Sequence, residues 1–141
     1  MNNQSKSKSY SVFLSHGSGD KYIVSRFIKP RIESVGARVF LDEGGIEYGE
    51  DFRKKIFAEL VLSSEIVVFF TPTSINRPWV FAEVGASLIQ DKRVIAIHYL
   101  PDEIELQKKG IFSLLGTTKV LPFDELDNYL AELKKRVEIY E

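Results

Sequence analysis

Two apolar runs constrain the fold more than any other feature of this sequence. The segments EIVVFFT (65–71) and VIAIHY (94–99) are rich in β-branched and aromatic residues, and their apolar residues do not alternate with polar ones. A strand covered on one face only would show such alternation. The two runs therefore predict strands that are buried on both faces, which is typical of a parallel sheet between two layers of helices.

Further strand signals alternate with helix signals from about residue 10 to the end of the chain. The other predicted strands are YSVFLS (10–15), RVFLD (38–42) and TKVLP (118–122). Asp20 is expected to cap the first helix and Gly36 to end it. Its expected apolar face consists of Ile23, Phe27, Ile28, Ile32 and Val35. Later helices are predicted around residues 52–60, 78–90 and 126–140.

This order of elements predicts an α/β fold. We expect a flavodoxin-like three-layer sandwich whose five-stranded parallel sheet has the order 2-1-3-4-5. Residues 1–9 are polar and are interpreted as a disordered lead-in, and residues 10–141 as one domain. In such sheets a ligand binds beyond the carboxyl ends of the strands, where the strand order reverses. The segments predicted to emerge there are 16–20 and 71–83.

Composition and missing motifs exclude several function classes. The chain has no cysteine, so it has no disulfide, thiolate zinc site or cysteine nucleophile, which is compatible with a cytoplasmic protein. A net charge of −1 and the lack of a long apolar run argue against nucleic acid and membrane partners. His16 and His98 have no evident ligand partners, so no metal site is expected. There is no Walker loop and no nucleophile elbow.

The segment PWVFAEVGAS (78–87) is the candidate for chemistry. Trp79 and Glu83 are four residues apart, so they share one face of a helix that begins near the switch point. An indole can stack on a cationic pyridinium ring, and a carboxylate can stabilise the oxocarbenium ion that forms when the ring departs. A lone helical glutamate is more often a solvated surface residue, however, and a lone tryptophan more often part of the core.

Three stretches resemble the Toll/interleukin receptor (TIR) family, and the resemblance extends from Tyr10 to about Tyr140. YSVFLSH (10–16) resembles the family's first strand. RVFLDEGGIEYGEDF (38–52) resembles the second strand and the following BB loop, with Asp42, Ile46 and Gly49 in family positions. SINRPWVFAE (74–83) resembles the helix segment of members that cleave NAD.

The resemblance implies roles for individual residues. Glu83 matches the catalytic glutamate and Trp79 the aromatic residue that flanks nicotinamide. His16 and Gly17 match positions that line the nucleotide pocket. The remaining candidate substrate-binding residues are Ser18, in the small loop after the first strand, the acidic Asp42 and Glu47, and Ser74 before the catalytic helix.

The resemblance thus implies an NAD glycohydrolase or ADP-ribosyl cyclase. NAD would be the substrate, no cofactor would be needed, and other TIR domains would be partners through self-association. Bacterial members further suggest a role in antiphage defence. One alternative is a non-catalytic TIR–TIR interaction module, because some family members only assemble with other TIR domains. Another is an enzyme like the nucleoside deoxyribosyltransferases, which also use a carboxylate against an N-glycosidic bond.

Overall fold

A parallel sheet forms the centre of the computed structural model, which describes residues 9–41, 52–72, 78–99 and 120–140. Its strands are β1 Ser11–Ser15, β2 Arg38–Leu41, β3 Glu65–Phe70, β4 Arg93–His98 and β5 Val120–Pro122. Hydrogen bonds order them β2-β1-β3-β4-β5, and every neighbouring pair is parallel. The predicted fold class and strand order are therefore confirmed.

Helices follow the strands, as the alternation of signals predicts. Helix α1 comprises three consecutive pieces: Lys21–Ile23, the π-helical Val24–Ile28, and Lys29–Ser34. The other helices in the described ranges are α2 Phe52–Leu62, α3 Pro78–Ile89 and α4 Leu126–Tyr140. Short 3-10 turns span Ser18–Asp20 and Phe123–Glu125. None of the helices in these ranges has the length and apolar character needed to cross a membrane.

The sheet separates two apolar cores, and alternate residues of one strand contribute to different cores. Val12 and Leu14 of β1 pack with residues of α1 and α4, whereas Phe13 packs with residues of α2 and α3. All six residues of β3 are buried. Burial on both faces explains why the apolar runs of the sequence show no alternation.

Helix α1 differs from its predicted form at two positions. The Lys29 N–H donates to the Val24 carbonyl, an i to i−5 hydrogen bond that opens the helix just before Pro30. Proline lacks an N–H, and its ring clashes with the carbonyl four residues earlier, so a wider turn accommodates it. Val24 is fully buried in this arrangement, while Phe27, predicted to face the core, is 36% exposed.

The ends of α1 show one confirmed and one wrong prediction. Gly36 follows the helix with a φ of +102°, the left-handed conformation that favours glycine at a helix end. Asp20 precedes the helix but forms no capping hydrogen bond with its side chain. Its carboxylate accepts a hydrogen bond from Thr71 at the end of β3 instead, so tertiary contact replaces the predicted cap.

A buried ionic cluster ties α4 to the amino end of β3. Glu65 is fully buried and accepts hydrogen bonds from Tyr10, Tyr129 (2.6 Å) and Arg136. The guanidinium binds both carboxylate oxygens, with Nε 2.8 Å from Oε1 and an Nη 3.1 Å from Oε2. Burial and the adjacent carboxylate raise the pKa of Tyr10 to about 12. The same two causes also raise the pKa of Tyr129. Both phenols therefore remain protonated donors at neutral pH.

The Glu65 cluster predicts a strong effect of Arg136 on stability. Arg136→Met keeps most of the side-chain volume but leaves the buried Glu65 carboxylate without its cation. We expect the free energy of unfolding to fall by about 3–5 kcal/mol, as when a buried ion pair loses one partner. Urea denaturation measures the change, with Lys135→Met on the exposed side of α4 as the control. Equal stability of the two variants would contradict this account.

Candidate active site

The carboxyl ends of β1 and β3 lie side by side and form the edge where the strand order reverses. Ser15, the last residue of β1, is in register with Val68 of β3, and β3 continues to Phe70 and Thr71. Helix α3 packs against β3 and β4. The neighbouring strand ends and this helix place polar side chains from distant parts of the chain together, which is where such sheets bind ligands.

A buried contact between Ser15 and Glu83 lies at this edge. The Ser15 hydroxyl donates to Oε1 of Glu83 at 2.5 Å, across 68 positions of sequence. Ser15 is 2% exposed and Glu83 is 3% exposed. The interpretation of Glu83 as a solvated surface residue is therefore wrong. A carboxylate buried to this extent and bound by a short hydrogen bond is held in a defined position.

Helix α3 fixes the backbone of Glu83. Val80 and Val84, which flank it on the helix, are buried in the core beneath α2 and α3. The Ser87 hydroxyl donates to the main-chain carbonyl of Glu83 at 2.8 Å, one turn later. Trp79 lies one turn before Glu83 in the same helix, as its spacing predicts.

A second polar contact connects the segments that follow β1 and β3. Thr71 donates to Oδ2 of Asp20 at 2.6 Å, and the Asp20 N–H donates to the Gly17 carbonyl at 3.0 Å. Thr71 is 5% exposed. These contacts hold the turn after β1 against the end of β3, so two of the segments that border the edge are fixed to each other.

His16 and Gly17 follow Ser15 directly and lie at the same edge. Gly17 is buried, and His16 is half-buried with Nδ1 2.8 Å from the Gly17 carbonyl oxygen. Nε2 of His16 is buried without a hydrogen-bond partner in the described part of the chain. A buried ring nitrogen in this state retains the capacity to bind a polar group.

Several predicted site residues lie outside what the structure describes. These are Asp42, Glu47 and Ser74, together with the side chains of Ser18 and Trp79. The described residues also contain no group of three or more histidine or acidic side chains that could hold a metal ion. The structure thus brings Glu83, His16 and Gly17 to one edge of the sheet.

Sequence reasoning predicted segments 16–20 and 71–83 at this edge, but it missed Ser15 and the hydrogen bond between Thr71 and Asp20. A signal for Ser15 exists, because a polar side chain inside a strand buried on both faces requires a hydrogen-bond partner. That signal does not say which partner is used, since Ser11 of the same strand meets the same condition and donates to the Leu62 carbonyl.

The arrangement suits electrostatic catalysis. A carboxylate fixed in a water-poor environment interacts more strongly with a developing positive charge than one in water, and it needs little reorganisation during the reaction. The described part of the site has the features needed to stabilise a cation at the sheet edge.

Comparisons with known proteins agree with this architecture. The alignment with the crystal structure of the TIR domain of the Toll-related receptor TRR-2 from Hydra magnipapillata covers 92% of this chain and 99% of the Hydra domain, with a TM-score of 0.72 and 17% identity. The alignment with the CMP N-glycosidase BcmB of Clostridium botulinum covers 89% of this chain and 98% of BcmB, with a TM-score of 0.60 and 15% identity. At these identities both matches show a shared fold.

One curated relative is similar in sequence. The 2′ cyclic ADP-D-ribose synthase BtTIR of Bacteroides thetaiotaomicron is 27% identical over 84 residues, which are 60% of this chain and 29% of the relative. The chain thus matches less than a third of that protein's length. A family model described as TIR domain matches residues 12–134. Since this match extends over most of the sequence and the strand order agrees with it, the chain belongs to the TIR domain family.

Proposed function

We propose that this TIR domain cleaves the bond between nicotinamide and ribose in NAD, with Glu83 as the catalytic carboxylate. The observation that carries the proposal is the burial of Glu83 at the sheet edge, where Ser15 binds it. The sequence relationship to a cyclic ADP-ribose synthase supports the same substrate. Trp79, one turn earlier on the helix, is the proposed partner of the nicotinamide ring.

The proposed reaction needs no acid to release its leaving group. The C1′–N bond breaks with its electron pair moving to the nicotinamide nitrogen, which converts the pyridinium cation into a neutral molecule. Positive charge then develops on the ribose as an oxocarbenium ion, and the Glu83 carboxylate stabilises it. Water captures the cation to give ADP-ribose and a proton, or a hydroxyl of the same nucleotide captures it to give a cyclic product and a proton.

Two other functions are tested by the same measurement. A TIR domain that acts only as an interaction module would release no nicotinamide. An N-glycosidase or deoxyribosyltransferase would act on a nucleoside or nucleotide such as CMP, the substrate named for the BcmB enzyme that shares the fold. Incubation with NAD, CMP and a deoxynucleoside in parallel, followed by chromatography of free bases and cyclic products, distinguishes the three functions.

We also propose that this activity serves antiphage defence. After infection, the enzyme would deplete NAD or convert it into a cyclic nucleotide messenger. Either outcome would stop the metabolism of the infected cell. Bacteria that express the chain should lose NAD after phage infection and release fewer phage. An unchanged phage yield, compared with cells that express Glu83→Gln, would contradict this role.

The first prediction from the mechanism concerns Glu83. Glu83→Gln preserves the volume of the side chain and an oxygen that can accept from Ser15, but it removes the charge. We expect nicotinamide release to fall by about 10²–10³ or more, the usual effect of losing one preorganised electrostatic group. Glu138→Gln, at an exposed position of α4, is the control and should have the parent rate. A folded Glu83→Gln protein with the parent rate would eliminate this mechanism.

A second prediction concerns Trp79. If its indole stacks on nicotinamide, Trp79→Ala should lower nicotinamide release by about tenfold or more, and Trp79→Phe should retain part of the activity because it keeps an aromatic face. Thermal melting separates this role from core packing, since loss of a core tryptophan costs about 3–5 kcal/mol. Parent-like melting together with undiminished NAD cleavage would refute both roles.

A third prediction concerns assembly. Residues 44–49 lie outside the described residues, and the resemblance to the family implies that they form a loop that packs against a neighbouring domain and helps to complete the active site. Tyr48→Ala and Gly49→Pro should weaken self-association and NAD cleavage together, while circular dichroism stays unchanged. Sedimentation and nicotinamide release over the same concentration series provide the test, and full turnover by a monomer would contradict it.

A further inference from the structure

The contact between Ser15 and Glu83 is a hydrogen bond between two buried side chains. The Ser15 hydroxyl donates to Oε1 of the Glu83 carboxylate, and the two residues are 68 positions apart in the sequence. Both side chains are almost completely buried, so water cannot replace the donor without a change in the surrounding packing. The hydroxyl therefore contributes to holding Oε1 of the carboxylate in place.

The serine itself sits on a rigid part of the fold. Ser15 ends β1, a strand that pairs with β2 on one side and with β3 on the other. Phe13, two residues earlier on the same face, is buried in the core between the sheet and α2 and α3. A hydrogen-bond donor on a central strand is held more precisely than one on a loop. Residues that position a catalytic side chain need this precision.

We propose that Ser15 is a positioning residue for Glu83, acting through the hydrogen bond that its hydroxyl donates to the carboxylate. Ser15 orients the carboxylate toward the ribose by holding its Oε1 at the end of β1. Its loss lowers the rate of bond cleavage more than the affinity for substrate. This inference rests on the proposed function and deepens it.

The same strand offers a matched control. Ser11 is the first residue of β1, has the same 2% exposure and lies on the same face as Ser15, four residues away. Its hydroxyl donates to the Leu62 carbonyl at 3.3 Å, at the end of the sheet opposite to Glu83. Ser11→Ala therefore removes an equally buried hydroxyl from the same strand without touching the proposed active site.

The experiment compares the steady-state cleavage of NAD by the parent, Ser15→Ala and Ser11→Ala. For Ser15→Ala we expect kcat to fall by about tenfold to a hundredfold, which corresponds to one hydrogen bond to a charged group, while KM changes by about threefold or less. Ser11→Ala should retain the parent kcat. Ser15→Cys, with a similar volume and a weak donor, should fall between the parent and Ser15→Ala, and it replaces Ser15→Ala if that variant does not fold.

A double-mutant cycle provides the second readout. If Ser15 acts through the charge of Glu83, then Ser15→Ala should have little further effect on the residual rate of Glu83→Gln. A merely structural role would lower the rate by the same factor in both backgrounds. Unfolding of all four proteins in urea is measured in parallel, so that differences in the folded fraction are removed from the rates.

The outcomes separate this inference from the proposed function. An active parent whose Ser15→Ala variant keeps the kcat of Ser11→Ala would overturn the positioning role alone. The same conclusion would follow if the effects of Ser15→Ala and Glu83→Gln were additive. A parent that releases no nicotinamide at any protein concentration would overturn the proposed function and, with it, this inference.

Discussion

Burial of the central strands on both faces is the constraint on which the rest of this structure depends. Because Val12 and Leu14 face one core and Phe13 the other, helices must cover the sheet on both sides. Crossover helices then make neighbouring strands parallel, so that all carboxyl ends point to one edge. The edge that holds Glu83 is therefore a geometric consequence of the same packing that stabilises the domain.

The two ends of the sheet use buried carboxylates in different ways. Glu65, at the amino end of β3, is surrounded by Arg136 and two phenols and is neutralised by the guanidinium. Glu83, at the opposite edge, is bound by the neutral hydroxyl of Ser15. The Ser15 hydroxyl brings a hydrogen bond but no formal charge to Glu83, whereas Arg136 brings both to Glu65. The ion pair suits a structural role, and the hydroxyl contact suits the proposed positioning of Glu83.

The sequence allowed the sheet to be predicted well because its signals are local. Burial is visible directly in the apolar runs at 65–71 and 94–99 and in the spacing of apolar residues in the last helix. The strands β3 and β4 and the helix α4 lie where those signals indicated. The predictions for Asp20 and Phe27 were wrong because the apolar spacing of the helix reveals neither the tertiary partner of Asp20 nor the π-helical turn around Phe27. Thr71 donates to the Asp20 carboxylate, and the π-helical turn before Pro30 buries Val24 beside Ile28 and Ile32 while Phe27 is 36% exposed.

The candidate site was predictable only in part, for the same physical reason. Trp79 and Glu83 were identified because a spacing of four residues has meaning within one helix. The Ser15 contact spans 68 positions, and Arg136 reaches Glu65 across 71. No periodicity in one sequence encodes such pairs, since Ser11 and Ser15 occupy equivalent places in a buried strand and still bind different partners. Distant polar contacts of this kind require the assembled fold.

The position of Glu83 within its helix explains why a side-chain donor matters there. The positive end of a helix dipole stabilises carboxylates mainly within the first turn. Helix α3 begins at Pro78, so Glu83 is its sixth residue and lies beyond that turn. Free backbone N–H groups are also confined to the first four residues of a helix, so the amides around Glu83 are engaged in intrahelical bonds. A carboxylate at this depth that stays charged needs donors from outside its own helix, and the end of β1 supplies one through Ser15.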